Sequence, residues 1–497
     1  MPFPSASLAV LLALGTLPQS APGKAAQLLD CRPETVTSVD ASAVMKRVVQ
    51  AVGLDAAGGR MFHLRSRMIR EFRDLSDRSY PPFDAGVSEE DLWFDPATGI
   101  ERAPAPFSRQ PSWSGARSTL VGAADSTGPA SPALHGATRW QRAFNAWAVV
   151  FDWSNDARVT VAGRCRYRDE VRLVLHRPSS GGGESLLIDE VDWLPVALRR
   201  SEANFFFGPE SVEYRYYNWD RIGPALFPQS TMRLVAGQKD RLRSLRQGPG
   251  ETDLVSRDSA PRFPEITSTL EMGDTIRVPP QPFWSTAAPD TVRVGPHSFL
   301  LVNSSFTSAV ALAADTVFIL DSSQGEQRAR QDSAWIGRLF PGHHPVVFVA
   351  QTDIWPHIAG LRFWVASGAG IIAHPTTMPL LKRAIARRWT AAPDLLERQR
   401  ARVSPRFVTV STSQSRAGGA VQIFAVGGSQ SEGVLGVYVR DDRFLWASDR
   451  VQDVTNPSFY VTELVRAAQR VHIEPQWTSG PHLRLIGWDV VQRLGQR

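Results

Sequence analysis

The feature that most constrains the fold of this 497-residue chain is a change of pattern across a proline-rich segment. Before the segment, from 157 to 245, alternating polar and apolar runs follow one another with turn residues between them, which is typical of an antiparallel sheet. After it, short apolar strands alternate with helical spacing, as expected where helices are layered on sheets. The segment itself, 246–290, has weak periodicity and is predicted to be a linker. The pattern therefore predicts an α+β / α/β protein of two units, 35–245 and 291–497.

The first unit is predicted to be a β-rich, antiparallel-sheet domain with two helices. Apolar residues recur at helical spacing over 41–52 and again over 139–153. The run MFHLRSRMIREF, 61–72, alternates like a strand. Between these elements, residues from about 94 to 132 are rich in Pro, Ser, Gly and Ala, and they are predicted to be a flexible insert.

The first 26 residues have the features of a signal peptide. The apolar run Ser7–Leu17 is too short to span a bilayer as a helix, and small residues suited to cleavage follow it at Ala25 and Ala26. The sequence therefore predicts a periplasmic or secreted protein with no transmembrane segment in the mature chain. Its two cysteines, Cys31 and Cys165, can pair in an oxidising compartment, but spacing alone leaves their pairing open.

Charge argues against a nucleic-acid partner. The net charge is +6, but the basic residues are almost all arginines scattered along the chain, with lysine only at Lys24, Lys46, Lys239 and Lys382. No dense basic run is interleaved with aromatic residues, which is the pattern that nucleic-acid binding favours. We therefore expect no DNA or RNA partner.

Three segments of the second unit follow one another in the order of a known fold. They are TVFILDS, 316–322, the segment 338–381, and VGGSQSEGVLGVYVRDDRFLWASDR, 426–450. Together they resemble the metallo-β-lactamase-fold hydrolase superfamily. The first is similar to the strand that opens that domain and ends in an Asp, the second to its metal loop and the helix and strand that follow, and the third to a later metal-binding segment. The resemblance covers about 200 residues and keeps its order throughout, which is stronger than any single motif. It implies a C-terminal αββα sandwich, and exported members of the family carry β-rich segments similar to DWLPVALRR before it.

The resemblance also shows that the first half of the metal motif is degenerate. The family's H-x-H-x-D-H loop corresponds here to the six residues 352–357. Thr352 and Ile354 stand where two metal-binding histidines are expected, and Pro356 stands where the Asp is expected. Only His357 matches. An aliphatic side chain cannot coordinate a metal, and proline also fixes φ and removes a backbone N–H, so we expect this loop to differ from the family's.

The second half of the motif is better preserved. Gln430 stands where a further histidine is expected, whereas Asp449 matches the carboxylate that usually bridges two metals and His482 matches the last histidine. One metal site has thus lost its imidazoles. The other loses the Asp at Pro356 but keeps His357, Asp449 and His482 as candidate ligands.

Two functions from different classes follow from this pattern. One is a single-metal hydrolase that acts on an ester- or amide-type bond, with one zinc ion on His357, Asp449 and His482, and with Asp449 and His357 as the catalytic residues. The other is a non-catalytic pseudoenzyme without a cofactor, a binding protein of the cell envelope with a small-molecule or peptide-like ligand in its cleft. The sequence leaves open whether the chain is an enzyme. We expect His344 and His374 not to be ligands, and we expect Asp353 to cap a turn.

Overall fold

A computed structural model describes most of the chain in fifteen stretches: 39–71, 73, 85–102, 142–179, 183–204, 206–236, 238–245, 252–256, 289–303, 306–342, 344–390, 393–428, 431–452, 454 and 460–496. The predicted signal peptide, most of the predicted insert and Gln430 lie outside these residues. No described helix has the length and hydropathy needed to cross a membrane.

The β-rich unit is one eleven-stranded sheet whose described neighbours all pair antiparallel, which confirms the predicted large antiparallel sheet. Its order is β3-β2-β1-β10-β9-β8-β7-β6-β5-β4, and β11 pairs with β1. The strands are β1 Arg60–Glu71, β2 Ala85–Asp95, β3 Ile100–Arg102, β4 Thr160–Tyr167, β5 Glu170–Arg177, β6 Glu184–Ile188, β7 Pro195–Asn204, β8 Gly208–Ile222, β9 Ala225–Val235, β10 Gln238–Leu245 and β11 Thr252–Ser256.

Two helices cover one face of this sheet and fill its core. Helix α1, Ala41–Val52, begins at the side-chain cap of Asp40 and presents Val48 and Val52, both fully buried, to the sheet. Helix α2, Ala146–Ser154, begins where the side chain of Asn145 accepts the backbone N–H groups of the first turn, and residues 139–141 of the predicted helix lie outside the described residues. Both helices share one apolar cluster with the strands.

Two predicted boundaries in this region are wrong. Strand β2 continues to Asp95 and pairs with β3, so the insert cannot begin at 94. Gly99 closes this hairpin at φ 69°, a conformation that favours glycine. The predicted linker 246–290 contains β11, and its last residue, Asp290, begins the next strand. A run of five residues is too short to give a clear periodicity, so the sequence pattern did not predict β11.

The C-terminal unit contains two mixed sheets. The seven-stranded sheet has the order β12-β13-β14-β15-β16-β17-β18, and the six-stranded sheet runs from β19 to β24 in order. The strands of the first are β12 Asp290–Arg293, β13 Ser298–Val302, β14 Thr307–Ala313, β15 Thr316–Leu320, β16 Val346–Ala350, β17 Gly370–Ala373 and β18 Arg406–Thr409. Those of the second are β19 Ser413–Arg416, β20 Val421–Ala425, β21 Leu435–Val439, β22 Phe444–Trp446, β23 Trp477–Gly480 and β24 Leu483–Gly487.

The two sheets share a core, and helices pack on their outer faces. Apolar side chains of both sheets, among them Phe318 and Trp446, form one buried cluster. A second cluster joins the other face of the seven-stranded sheet to four helices, and a third joins the six-stranded sheet to two more. The helices are α3 Gly325–Leu339, α4 Leu361–Ala366, α5 Met378–Ala386, α6 Leu395–Gln399, α7 Tyr460–Arg470 and α8 Trp488–Leu494. The outer face of each sheet is therefore covered by helices.

Strand direction places the candidate site at one edge of these layers. Strands β15, β16 and β17 are parallel, so their carboxyl ends lie together. Strands β22 and β23 are also parallel, and their carboxyl ends lead to Asp449 and His482. A backbone hydrogen bond from Leu435 N to Gln351 O joins the two sheets at this edge.

Candidate metal centre

The structure brings together the three candidate ligands that the sequence singled out. His357 lies on a one-turn 3-10 helix, Trp355–Ile358, after β16. Asp449 lies on another, Ser448–Arg450, after β22, and His482 lies in the turn between β23 and β24. One ligand atom from each of the three lies within 4.8 Å of the other two. Residues up to 125 positions apart in the chain therefore meet at one point of the cleft, which spacing in the sequence could not show.

The distances suit a shared ion better than direct hydrogen bonds. His357 Nε2 is 3.8 Å and His482 Nε2 is 3.5 Å from the same atom, Asp449 Oδ1. The first is too long for a hydrogen bond and the second is at the outer limit. Ligand atoms bound tetrahedrally to zinc are about 3.4 Å apart, which follows from bond lengths near 2.1 Å. The three residues therefore fit one zinc ion with small adjustments.

Backbone hydrogen bonds fix the turn that carries His357. Ser322 N donates to His357 O at 2.8 Å, and Gln324 N donates to Pro356 O at 3.3 Å. Gly360, just beyond the turn, lies so close to Ser322 that an added Cβ would be 2.0 Å from its hydroxyl oxygen. The loop after β15 thus determines where the His357 ring can lie.

Asp321 anchors the turn that carries Asp449. Its Oδ2 accepts hydrogen bonds from Trp446 Nε1 at 3.0 Å and from Ser448 Oγ at 2.9 Å. The side chain is fully buried, and burial raises its pKa to about 7 despite these two donors. The sequence places this Asp at the end of a predicted strand but assigns it no role. Its position at the carboxyl end of a buried strand is the one sequence feature that could have pointed to the site.

Phe306 is a second residue that sequence reasoning missed. Its ring is 5.5 Å from the ring of His357, edge to face, and 5.0 Å from that of His482. The two imidazoles are themselves 5.1 Å apart, nearly perpendicular. Phe306 is buried and shields one side of the pair from water. A single phenylalanine in a loop has no pattern that would have identified it.

Burial favours the neutral form of both imidazoles. Burial, followed by the neighbouring His482, holds the pKa of His357 well below its usual value, and burial lowers the pKa of His482 as well. A neutral imidazole is the form that binds a metal ion. His482 keeps 36% of its side chain exposed, whereas His357 and Asp449 are nearly inaccessible. The site is therefore open to solvent on the His482 side.

The positions where the sequence predicts lost ligands lie in packed structure wherever the structure describes them. Thr352 is fully buried, and its hydroxyl accepts the backbone N–H of Ile354 at 3.2 Å. Ile354 is only 2% exposed. Pro356 lies in the first turn of the 3-10 helix, where its missing N–H is tolerated. Gln430 lies outside the described residues. Three of the four positions are thus part of the packed loop.

The other polar groups near the cleft have different partners. Asp353 does not cap the 3-10 turn, whose first residue has no side-chain cap. Its carboxylate instead accepts a hydrogen bond from Ser431 Oγ, which joins the loop after β16 to the loop before β21. His374 Nδ1 contacts Thr376 Oγ1 at 2.8 Å, and the half-buried His344 contacts the carbonyl of Asp315 at 3.0 Å. None of these groups belongs to the three-residue cluster.

Comparisons with known proteins give matches only among solved structures. No family model matches the chain, and no curated protein matches it. The metallo-β-lactamase DIM-1 covers 42% of this chain and 96% of its own, with 14% identity and a TM-score of 0.34. Metallo-β-lactamases from Erythrobacter litoralis and Hirschia baltica cover the same share of this chain, with 9% and 14% identity and TM-scores of 0.33 and 0.32. Similarity at this level is too loose to support a conclusion about this chain's site or chemistry.

Proposed function

We propose that this chain is an exported metallo-β-lactamase-fold protein that keeps one metal site and acts as a hydrolase on ester- or amide-type bonds. The observation that carries the proposal is the convergence of His357, Asp449 and His482 at zinc-like spacing. The ordered resemblance of the C-terminal sequence segments supports the αββα assignment. Cys165 is disulfide-bonded, which supports export because disulfides persist in oxidising compartments.

The chemistry of the donor set fits one zinc ion. Two neutral imidazoles and one carboxylate are ligands that zinc accepts, and three protein ligands leave a position for substrate. A bound zinc ion supplies Lewis-acid polarisation of a carbonyl oxygen. Asp449 holds its carboxylate toward both imidazoles and would serve as both a ligand and an orienting group. The partly exposed His482 marks the side from which a small-molecule or peptide-like substrate enters.

One feature predicts that zinc is bound less tightly than in a fully supported site. Among the described residues, His357 Nδ1 is buried and has no hydrogen-bond partner. Metal-binding histidines usually donate this second N–H to an acceptor, and loss of such a partner typically costs about 10- to 100-fold in affinity. We therefore expect a weak or readily exchanged ion.

The alternative proposal is a non-catalytic binding protein that has kept the fold. The observation that favours it is the burial of Ile354 and Thr352 where metal ligands are expected. In that case the three-residue cluster serves ligand binding or structure, and no bond is cleaved.

Hydrolysis assays separate these proposals. The zinc-treated chain is tested against chromogenic esters and amides beside His357→Ala, with the surface variant His344→Ala as matched control. A hydrolase is expected to lose at least 10-fold in rate on His357→Ala or on chelation, and to be unaffected by His344→Ala. Equal rates for the parent chain and His357→Ala across the panel would contradict catalysis and support the binding protein.

A further inference from the structure

The tip that joins β7 to β8 in the β-rich unit packs into the C-terminal unit. Phe206 and Phe207 are 1% and 6% exposed, and they belong to the apolar cluster of the C-terminal helices, not to that of their own sheet. Asn204 fixes the tip because its side-chain oxygen accepts the backbone N–H groups of both phenylalanines, at 2.8 and 3.0 Å. Gly208 follows at φ 75°, and an added Cβ there would be 2.2 Å from Trp389 Nε1. Phe206, Phe207 and Gly208 are therefore closely fitted against the C-terminal unit.

The residue that receives this tip is Trp355, the first residue of the turn that carries His357. The Phe206 ring stacks on Trp355 with centroids 5.7 Å apart, and the Phe207 ring meets it edge-on at 4.8 Å. Both are favourable aromatic geometries. Trp355 is only two positions before His357, so displacement of its ring would move the candidate ligand with it.

A charged side chain of the β-rich unit also contacts Trp355. The Arg73 guanidinium lies 5.5 Å from the centre of the Trp355 ring. Arg73 pairs with Glu210 at 3.4 Å, and Asn204 donates to the same carboxylate at 2.8 Å. Because Asn204 also fixes the two phenylalanines, the polar and aromatic contacts on Trp355 form one connected unit.

The turn itself needs such support. It has four residues, a proline and no side-chain cap, so its shape depends on packing more than on its own hydrogen bonds. The loop after β15 holds its carbonyl side through Ser322 and Gln324, and Trp355 is its contact with the β-rich unit.

We infer that Phe206 and Phe207 are positioning residues of the metal centre: the β-rich unit holds the His357 turn in the place where His357 meets Asp449 and His482. This inference rests on the proposed metal site. It assigns the β-rich unit a role in that site. We therefore expect the position of His357 to be less well fixed in the C-terminal unit alone.

The test compares zinc affinity in Phe206→Ala/Phe207→Ala with that in a matched control. Phe340→Ala removes a phenylalanine of the same cluster that is 6% exposed, as Phe207 is, but Phe340 precedes β16 and so lies at the end of that strand far from the site. Zinc dissociation constants are measured by competition with a chelating dye, at a temperature where circular dichroism shows every variant folded. We expect the double variant to bind zinc at least 10-fold more weakly, the control to bind within about twofold of the parent chain, and Phe206→Leu/Phe207→Leu to recover most of the loss. Parent-like affinity in the double variant would overturn the inference.

A metal-free readout separates this inference from the proposed function. Histidine ring signals are recorded by NMR on the chelator-treated full chain. The signals of His357 are expected to shift in the double alanine variant but not in Phe340→Ala, with His344 as the internal reference. If the parent chain binds no zinc, the metal site is lost as a proposal, whereas unchanged His357 signals would overturn the positioning role by themselves.

Discussion

At the scale of single residues, the structure brings together the three candidate ligands that the sequence singled out. These candidates could be read from the sequence, because each falls at a definite place in the motif that the resemblance implies. What the sequence could not show is that Thr352 and Ile354 are buried in the packed loop, or that Asp321 and Phe306 support the retained side chains. Such roles depend on contacts between residues that lie far apart in the chain.

Introducing a histidine at position 354 is expected to destabilise the protein. Ile354 is 2% exposed, so an imidazole there would be buried without a prepared hydrogen-bond partner. We expect Ile354→His to lower the free energy of unfolding by about 2 kcal/mol or more, and the control Ile354→Val by about 1 kcal/mol, as measured in urea. If Ile354→His is as stable as the parent chain and binds a second zinc ion, the metal site that the sequence predicts to be lost can still form.

The buried Asp321 predicts a pH dependence near neutrality. Burial raises its pKa from 3.8 to about 7, so the folded chain favours the protonated carboxyl more strongly than the unfolded chain does. This stabilising contribution is fully present below pH 3.8 and is lost as the pH rises through about 7. Asp321→Asn removes the titration and keeps the φ of 57°, which asparagine tolerates.

With metal removed by a chelator, the free energy of unfolding of the parent chain relative to that of Asp321→Asn should therefore fall between pH 4 and pH 8. Parallel stability curves for the two proteins would show that the carboxyl does not titrate in this range.

At the scale of elements, sequence periodicity predicted the long helices and the buried strands but not their exact ends. Helix α1 and strands β1 and β16 lie where the patterns placed them. Strands β3 and β11 were missed because a run of three to five residues carries too little periodicity, and their pairing is decided by the neighbouring strand. The short turn that carries His357 likewise has no sequence pattern of its own.

Glu397 at helix α6 predicts a loss of stability in acid. Burial alone would raise its pKa, but hydrogen bonds from Arg388, the backbone of Trp389 and Arg400 lower it from 4.5 to about 2. The stabilising contribution is present above pH 4.5 and is lost as the pH falls toward 2. Acid unfolding of the parent chain and Glu397→Gln should therefore converge over that range. A difference that stays constant down to pH 2 would contradict the assigned partners.

At the scale of the whole molecule, the two units are joined by aromatic contacts at Trp355 that no pattern within either unit predicts. The division into two units was visible in the sequence because the hydrophobic period changes between them. Their mutual placement was not, because it depends on the shape of a hairpin tip and of the loop that receives it. Export of the chain is a prediction that rests on its first 26 residues and on the disulfide bond of Cys165.

The disulfide bond should contribute measurably to stability. Cys165 is disulfide-bonded, and the only other cysteine of the sequence is Cys31, which lies outside the described residues. We expect Cys165→Ser, or reduction of the parent chain, to lower the free energy of unfolding by about 2–4 kcal/mol, as measured in guanidinium chloride. Non-reducing peptide mapping should recover Cys31 linked to Cys165. Equal stability of the reduced and oxidised chains would show that this bond does not support the fold.

The most direct measurement of the central claim is the zinc content of the purified full chain, determined by native mass spectrometry after mild zinc addition. The account predicts one zinc ion per chain in the parent protein and in His344→Ala, and none in His357→Ala or Asp449→Asn, with all four folded. A parent chain that stays metal-free in excess zinc, or a His357→Ala variant that still binds one ion, would contradict it.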